Sequence, residues 1–348
     1  MYYDPQSQVL VDFHKGIQDA HKRVLRMIGD PEQRYREDPV RIIRAVRFGA
    51  KLAHLGFKLE AKTAKPLVAC EPLLHDVPQS RLFDEMLKLL LTGHATASIE
   101  QLQKLGLAKG IYPLLDVVVE RAATPLVQAV LQDTDRRVAE GKTCVPSFLL
   151  ACVLWQDVQT GWQQRLNNGA HSFPALQDAI DEVFERRIGD VSGRGKLAAD
   201  MREIWAMQPR FDKRTGATPF SLVAQGRFRA GFDFLRLRAD VGEIDEALAS
   251  WWQEYSGADE SRRYDLMDQA REEQKALTRA KQPVTRRVPR AAAPASASAN
   301  APSAEHEPEV LGDDSAPKKR RRRRRKPGAG DGAGEGGSSE GGAGPHGD

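Results

Sequence analysis

The sequence predicts a mainly α-helical array, opened by a short β-hairpin and closed by a disordered basic tail. Three observations carry this. Apolar residues recur three and four apart in successive segments from about Ile17 to Tyr255, several of them bounded by glycine or proline. Aromatic residues make up 7% of the 348, which suits a helical core better than an aromatic-rich sandwich. After about Gly257 the composition shifts to charge, then to Ala/Pro/Ser repeats, a basic run and a Gly-rich end. That end cannot bury enough apolar surface to offset chain entropy.

Taken in order, Tyr2-Tyr3-Asp4-Pro5 reads as a strand and turn, and Val9 to Phe13 as a second short strand. Two such strands are not stable alone, and no later segment clearly supplies a sheet, so a segment upstream of Met1 is expected. Asp38-Pro39 reads as an N-cap followed by proline at the first helical position. Ile42, Ile43, Val46, Ala50 and Ala53 then keep helical spacing up to the stop at Gly56. Further helices are expected over about Ser80–Thr92, closed by Gly93, and about Ala95–Leu105, closed by Gly106. A helical block from Pro125 to Tyr255 includes Phe148–Trp155, the segment around Ile204 and Trp205, Phe228–Leu237, and Trp251-Trp252 near its end. The charged stretch to about Lys281 is compatible with one more helix. Brief connections between short helices describe an antiparallel array.

Charge and cysteine usage narrow the function class. The formal net charge is +4, yet the run from Lys318 to Lys326 alone carries nine positive charges, so the remainder carries −5. Any broad basic field belongs to the tail. Cys70, Cys144 and Cys152 form no CxxC pair, which argues against a disulfide framework or a zinc ribbon. The longest apolar run, Phe148 to Trp155, is far too short to span a bilayer, and no signal peptide is expected. These features point to a soluble protein of a reducing compartment.

The segment richest in chemistry runs from Arg34 to Phe48, Arg-Tyr-Arg-Glu-Asp-Pro-Val-Arg-Ile-Ile-Arg-Ala-Val-Arg-Phe. On a helix opening at Asp38, Arg41, Arg44, Arg47 and Lys51 share one stripe, beside the apolar one. Guanidinium forks match phosphates and base edges through paired hydrogen bonds, and Glu37 and Asp38 can orient them or read a base edge. A solvated face laced with ion pairs has the same charge pattern. Other segments are weaker. Asp133-Thr134-Asp135 is the one clear Asp-x-Asp, but on a helix its carboxylates diverge by about 200°. An exposed or N-capping pair is the better reading. His75-Asp76 lacks suitable partners. Gly193-Arg194-Gly195-Lys196 lacks P-loop spacing and has Leu197 where Ser or Thr must bind magnesium. His94, after a glycine stop, reads as structural. The run Lys318, Lys319, Arg320, Arg321, Arg322, Arg323, Arg324, Arg325, Lys326 has no interleaved aromatics, so it offers charge to a nucleic-acid backbone but no stacking.

The Arg34–Phe48 stretch resembles the signature of bacterial poly(A) polymerases and of their relatives, the CCA-adding tRNA nucleotidyltransferases. Ile28-Gly29-Asp30-Pro31-Glu32, Leu91 to Ala95, and Leu105-Gly106-Leu107 through Tyr112-Pro113 fit the same pattern. Arg227-Phe228-Arg229-Ala230, Leu235 to Ala239 and Trp251-Trp252 resemble the poly(A) polymerase branch in particular. The resemblance implies four parts, a head remnant over 1–30, a neck over 31–118, a helical body over 119–257 and a disordered basic tail over 258–348. It implies nucleotide contacts at Glu37, Asp38, Arg41, Arg44 and Arg47. It implies RNA contacts at Arg81, Lys88, Arg227, Arg229 and the basic run. Ser80-Arg81 with Glu85 and Lys88 resembles the next neck motif, with Ser80 in place of its leading acid. The family adds AMP from ATP to RNA 3′ ends with Mg2+, held by carboxylates of a head that precedes the Tyr-Tyr-Asp-Pro hairpin. The expectation is therefore a cytoplasmic protein with no membrane contact, partnering RNA 3′ ends, ATP and RNA-decay machinery. It holds no cofactor and incorporates no AMP by itself, which a labelled-AMP assay on an RNA primer checks. A non-catalytic RNA-binding protein and a fragment of a CCA-adding enzyme are the alternatives.

Overall fold

The computed structural model describes residues 1–188 and 195–281. The basic run from Lys318 to Lys326, with the disordered tail expected around it, lies outside the described residues, as do Gly193 and Arg194. Over the rest the predicted mainly helical array with its N-terminal hairpin is what forms.

β1 (Tyr2–Asp4) pairs antiparallel with β2 (Val9–Val11), Tyr2 facing Val11 and Asp4 facing Val9. Asp4 shapes the turn by accepting from the Gln6 backbone N–H at 2.9 Å. Tyr2, Tyr3 and Phe13 stay mostly exposed. α1 (Gly16–His21) follows, then β3 (Val24–Leu25). Among the described residues the hairpin gains no third strand. β3 instead pairs in parallel with β4 (Lys58–Leu59), with Lys58 N–H donating to Arg23 C=O and Glu60 N–H to Leu25 C=O, both at 2.9 Å. This two-residue pair fastens the chain before residue 28 to the segment after the following helices.

α2 (Pro31–Glu37) starts where Asp30 accepts from Gln33 N–H at 2.9 Å, with Pro31 at the first position. α3 (Val40–Ala53) buries Val40, Ile42, Ile43, Val46 and Ala50, the predicted stripe. Asp38 is not its side-chain cap. Its backbone carbonyl accepts from Arg41 N–H at 3.1 Å, while its carboxylate turns away to Arg81, also at 3.1 Å. An ion pair across helices has replaced the local bond.

α4 (Ala61–Ala64), α5 (Leu67–Cys70) and a 3₁₀ turn at Glu71–Asp76 lead to α6 (Gln79–Leu90) and α7 (Ala95–Lys104). Between these two, Gly93 sits at φ +83°, and a Cβ there would meet Val138 Cγ1 at 2.8 Å, so both backbone and packing require glycine. α8 (Pro113–Arg121) and α9 (Pro125–Ala139) follow. The N-terminus of α7 has no cap from His94. It is capped from α9, where Asp135 accepts from Ala95 N–H at 2.6 Å and Thr96 N–H at 3.1 Å.

α10 (Pro146–Asn167) lies among α9, α11 (Ser172–Val183), α12 (Gly195–Phe211) and α14 (Phe228–Asp240). That enclosure is why Phe148 to Trp155 is apolar without a period, since every face of those turns is buried. A π-turn at Phe184–Ile188 extends α11, and α13 (Thr218–Val223) links α12 to α14. α15 (Glu246–Gly257) and α16 (Glu260–Lys281) complete the described chain. One core runs from Tyr35 through Trp155 and Trp205 to Phe234, so residues 31–118 and 119–257 share it. A second gathers Phe211, Phe228, Trp251, Trp252 and Tyr255 with Leu266, Met267 and Ala270. Those last three belong to α16. The segment expected to be tail from 258 therefore begins with a helix whose apolar side is packed. Among the described residues no helix is long and apolar enough to cross a membrane.

Candidate functional site

The arginine stripe of α3 opens onto a cleft of about 330 Å³ between α2, α3 and the β3–β4 pair. Its walls are apolar at Leu25, Met27, Ile28, Ala45, Phe48 and Leu59, and cationic at Arg26, Arg34, Arg41 and Arg44. Two local features build it. The β3–β4 pair holds Leu25 and Leu59 opposite α3. Helical spacing puts Arg41, Arg44, Ala45 and Phe48 on one side of α3. Phe48 is 44% exposed, with the Arg47 guanidinium 4.7 Å from its ring centre.

Glu37 orders the arginines at the mouth. Its carboxylate accepts from Arg34 Nη1 at 2.8 Å and from Arg41 Nη1 at 3.3 Å. Arg41 Nη1 also donates to the Arg34 carbonyl at 2.8 Å. Beside the cleft, Glu85 of α6 is the anion of a cationic cluster. It accepts from Arg44 Nη2 at 3.4 Å and Lys88 Nζ at 3.0 Å, while Arg47 Nε stands 3.7 Å from its other oxygen, beyond hydrogen-bond reach. Three cations around one carboxylate, whose side chain is 4% exposed, leave a local surplus of two positive charges. A flat apolar surface flanked by preordered guanidinium groups can take a nucleobase and the phosphates attached to it.

Of the predicted nucleotide residues, Arg41 and Arg44 line the cleft. Glu37 holds two lining arginines, Asp38 is tied to Arg81, and Arg47 faces Glu85 and Phe48. Arg81 and Lys88 reach the same face from α6 through Asp38 and Glu85. Arg227 and Arg229 lie elsewhere, at the start of α14. Arg227 donates to Asp200 through Nε at 2.9 Å, and Arg229 pairs with Asp233 at 3.0 Å. Sequence reasoning missed Arg34 and Phe48 as walls, although both fall within the quoted stretch. Arg26, Met27 and Leu59 carried no signal, since only the parallel pair brings them in.

The remaining candidates are structural. Asp133 pairs with Arg136 and with Arg137 Nε at 2.5 Å, and Asp135 caps α7. This is the capping reading of the sequence, realised on a neighbouring helix. These carboxylates are committed elsewhere, and among the described residues no group of three His, Cys, Asp or Glu could hold a metal. The described residues therefore do not fit the Mg2+ that the resemblance implies, and no step is routed through it. His94 stacks on His54 at 5.5 Å, and burial lowers its pKa. Burial raises the thiol pKa of Cys70, Cys144 and Cys152, so all three favour the protonated, less reactive form.

Comparison with known proteins finds relatives over most of the chain. A family model described as "Probable RNA and SrmB- binding site of polymerase A" matches residues 56–118. Another, "Polymerase A arginine-rich C-terminus", matches 168–327. The chain is 36% identical over 276 residues to Poly(A) polymerase I of Haemophilus influenzae, covering 77% of this chain and 60% of that one. It is 32% identical over 297 residues to Poly(A) polymerase I of an Escherichia coli strain, covering 83% and 63%. A CCA-adding enzyme of Leuconostoc mesenteroides is 42% identical over only 91 residues, 26% of this chain and 22% of the enzyme. The chain thus spans about 60% of the length of the poly(A) polymerases it matches. Matches at both neck and distal body place the chain in the bacterial poly(A) polymerase family.

Proposed function

We propose that this chain forms the nucleotide- and RNA-holding part of an enzyme that adds AMP from ATP to RNA 3′ ends in the cytoplasm. The observation that carries the reading is the α3 cleft, where Arg34, Arg41 and Arg44 meet the half-exposed ring of Phe48. The adenine of ATP rests on the apolar wall, the guanidinium groups take its polar edge and phosphates, and Glu37 keeps Arg34 and Arg41 in position. Asp38, Arg47, Arg81 and Lys88 shape the adjoining face, over which the RNA end approaches. The distal match and the names of the relatives favour polyadenylation over CCA addition, because the CCA-adding relative matches only about a quarter of the chain. The family description over 56–118 names SrmB beside RNA, which supports a protein partner on the neck.

ATP affinity tests the cleft. With a nucleotidyltransferase head supplied in trans, Arg41→Ala is expected to weaken ATP binding about tenfold, the worth of one charge-assisted hydrogen bond. Equilibrium dialysis giving equal affinities for the two proteins would remove Arg41 from the nucleotide site. The basic run is tested through salt. Deleting Lys318 to Lys326 should flatten the dependence of RNA affinity on salt, by about 0.7 in logarithmic slope for each phosphate no longer neutralised. An unaltered slope in fluorescence anisotropy would make the run irrelevant to RNA.

A further inference from the structure

A second cleft, of about 200 Å³, lies in the body, away from α3. It is lined by Arg137 at the end of α9, Cys144 and Val145 before α10, Ser147 and Phe148 in the first turn of α10, and Arg227, Arg229 and Asp233 at the start of α14. Three guanidinium groups against one carboxylate make its lining cationic. Asp233 is the device that holds it in shape. One oxygen accepts from Arg137 Nη2 at 3.0 Å and the other pairs with Arg229 Nε at 3.0 Å, so two cations from different helices are clasped side by side. Behind them, Asp133 fixes Arg137 through Nε, and Asp200 fixes Arg227 through Nε and Nη2. These bonds run through Nε and Nη2 of Arg137 and Arg227 and through Nε of Arg229, and Arg229 keeps 79% of its side chain exposed. Including Asp133, Asp200 and Arg136, the neighbourhood still has one more cation than anions. The N-termini of α10 and α14, neither capped by a side chain, begin at the same place and add to the positive potential.

We propose that this clasp, Arg137, Arg227 and Arg229 preset by Asp233 and Asp200, holds a backbone phosphate of a single-stranded RNA. The inference rests on the RNA-holding function proposed above and gives it a second, separate contact. Preorganisation is the physical reason to choose this place among the many arginines. A guanidinium already fixed by a buried carboxylate loses little further freedom when its outer edge meets a phosphate. Val145, 47% exposed, gives a sugar or base an apolar ledge beside that phosphate. The lining contains no aromatic face open enough for stacking, since Phe148 is only 7% exposed, so the contact is to the backbone and blind to sequence.

The cleft carries its own reporter. Cys70 and Cys152 are buried, whereas Cys144 is partly exposed and lines the cleft. N-ethylmaleimide labelling of Cys144 in the full chain, followed by mass spectrometry, should slow when an oligoadenylate is added, and inorganic phosphate at equal phosphate concentration should protect little. Arg229→Glu should weaken oligoadenylate binding at least threefold in fluorescence anisotropy, flatten the salt slope by about 0.7, and abolish the protection. Arg186→Glu, at an equally exposed arginine outside the cleft, controls for general charge and should retain protection. Binding with unprotected Cys144, or equal protection by inorganic phosphate, overturns the clasp alone. No binding of oligoadenylate by the unaltered chain overturns the RNA-holding function as well.

Discussion

Replacing Glu243 by alanine is expected to cost about 3 kcal/mol of folding stability, the low end of the penalty for leaving a buried cation unpaired, since water reaches Glu243 itself. Glu243 follows α14, where Gly242 at φ +75° turns the chain back and Glu243 N–H donates to the Arg238 carbonyl at 2.8 Å. Its Oε1 accepts from Trp155 Nε1 at 3.0 Å, Gln159 Nε2 at 2.6 Å and Arg238 Nε at 3.0 Å. One carboxylate oxygen therefore ties α10 to α14. Arg238 is the costly partner. Its side chain is 10% exposed, with the guanidinium 4.8 Å from the Trp155 ring and 5.8 Å from Phe234. Nη1 donates to Gln208 Oε1 at 3.0 Å, and Gln208 in turn bonds the Ile204 and Gly231 carbonyls. Burial already pulls the Arg238 pKa below its usual value. Without Glu243 the charge stays among aromatic rings with only a neutral amide bonded to it. The added change Arg238→Met should recover most of the loss, because an apolar chain of similar length suits that environment. Urea unfolding of the two variants tests this, and a double variant as unstable as Glu243→Ala alone would assign the cost to the Trp155 and Gln159 bonds instead.

Arg238 also marks where sequence reading stops. It lies in the stretch that resembles poly(A) polymerases, one of four arginines from Arg227 to Arg238, and nothing in its neighbours separates it from the others. The fold divides them. Arg238 is buried as a structural cation, Arg229 is exposed, and Arg227 is held half-way by Asp200. Charge is visible in a sequence, but the partner that neutralises it is not. The same limit explains Asp38 and Asp135. Local capping rules place an aspartate on its own helix, whereas Asp38 bonds Arg81 and Asp135 caps a helix 40 residues earlier. What was legible rested on periodicity, which is local. Ile42, Ile43, Val46 and Ala50 fall on the buried side of α3, and Phe148–Trp155 announces a helix enclosed on all faces. The β3–β4 pair joins two residues to two others across 34 positions, too short to show a period and too distant to show a turn. Its absence from the sequence reading hid one wall of the candidate cleft.

At the cleft itself, Glu85→Ala is expected to cost about 2–3 kcal/mol. This lies below the full penalty for a buried pair because water reaches two of the three cations, Arg44 and Lys88 being 44% and 53% exposed. Arg47, 16% exposed, carries most of the cost, so Glu85→Ala with Arg47→Met should unfold at a higher urea concentration than Glu85→Ala alone. The cluster is an odd way to join α3 to α6, whose apolar sides already meet in the common core. Its consequence is a surplus of cations held at the edge of an apolar cleft, and that surplus is testable without ATP. Glu85→Gln keeps the shape and removes the anion, leaving three cations that repel one another. A polyanion that settles among them relieves the repulsion, and a ligand bound only by the folded state stabilises in proportion to the logarithm of its affinity. Tripolyphosphate should therefore raise the thermal midpoint of Glu85→Gln by more than it raises that of the unaltered chain. The gap should shrink as salt is added, because the exposed members of the cluster are screened. Equal shifts at low salt would mean that Arg44, Arg47 and Lys88 serve only to bolt α6 to α3, and the phosphates of a nucleotide would have to be held by Arg26, Arg34 and Arg41 alone.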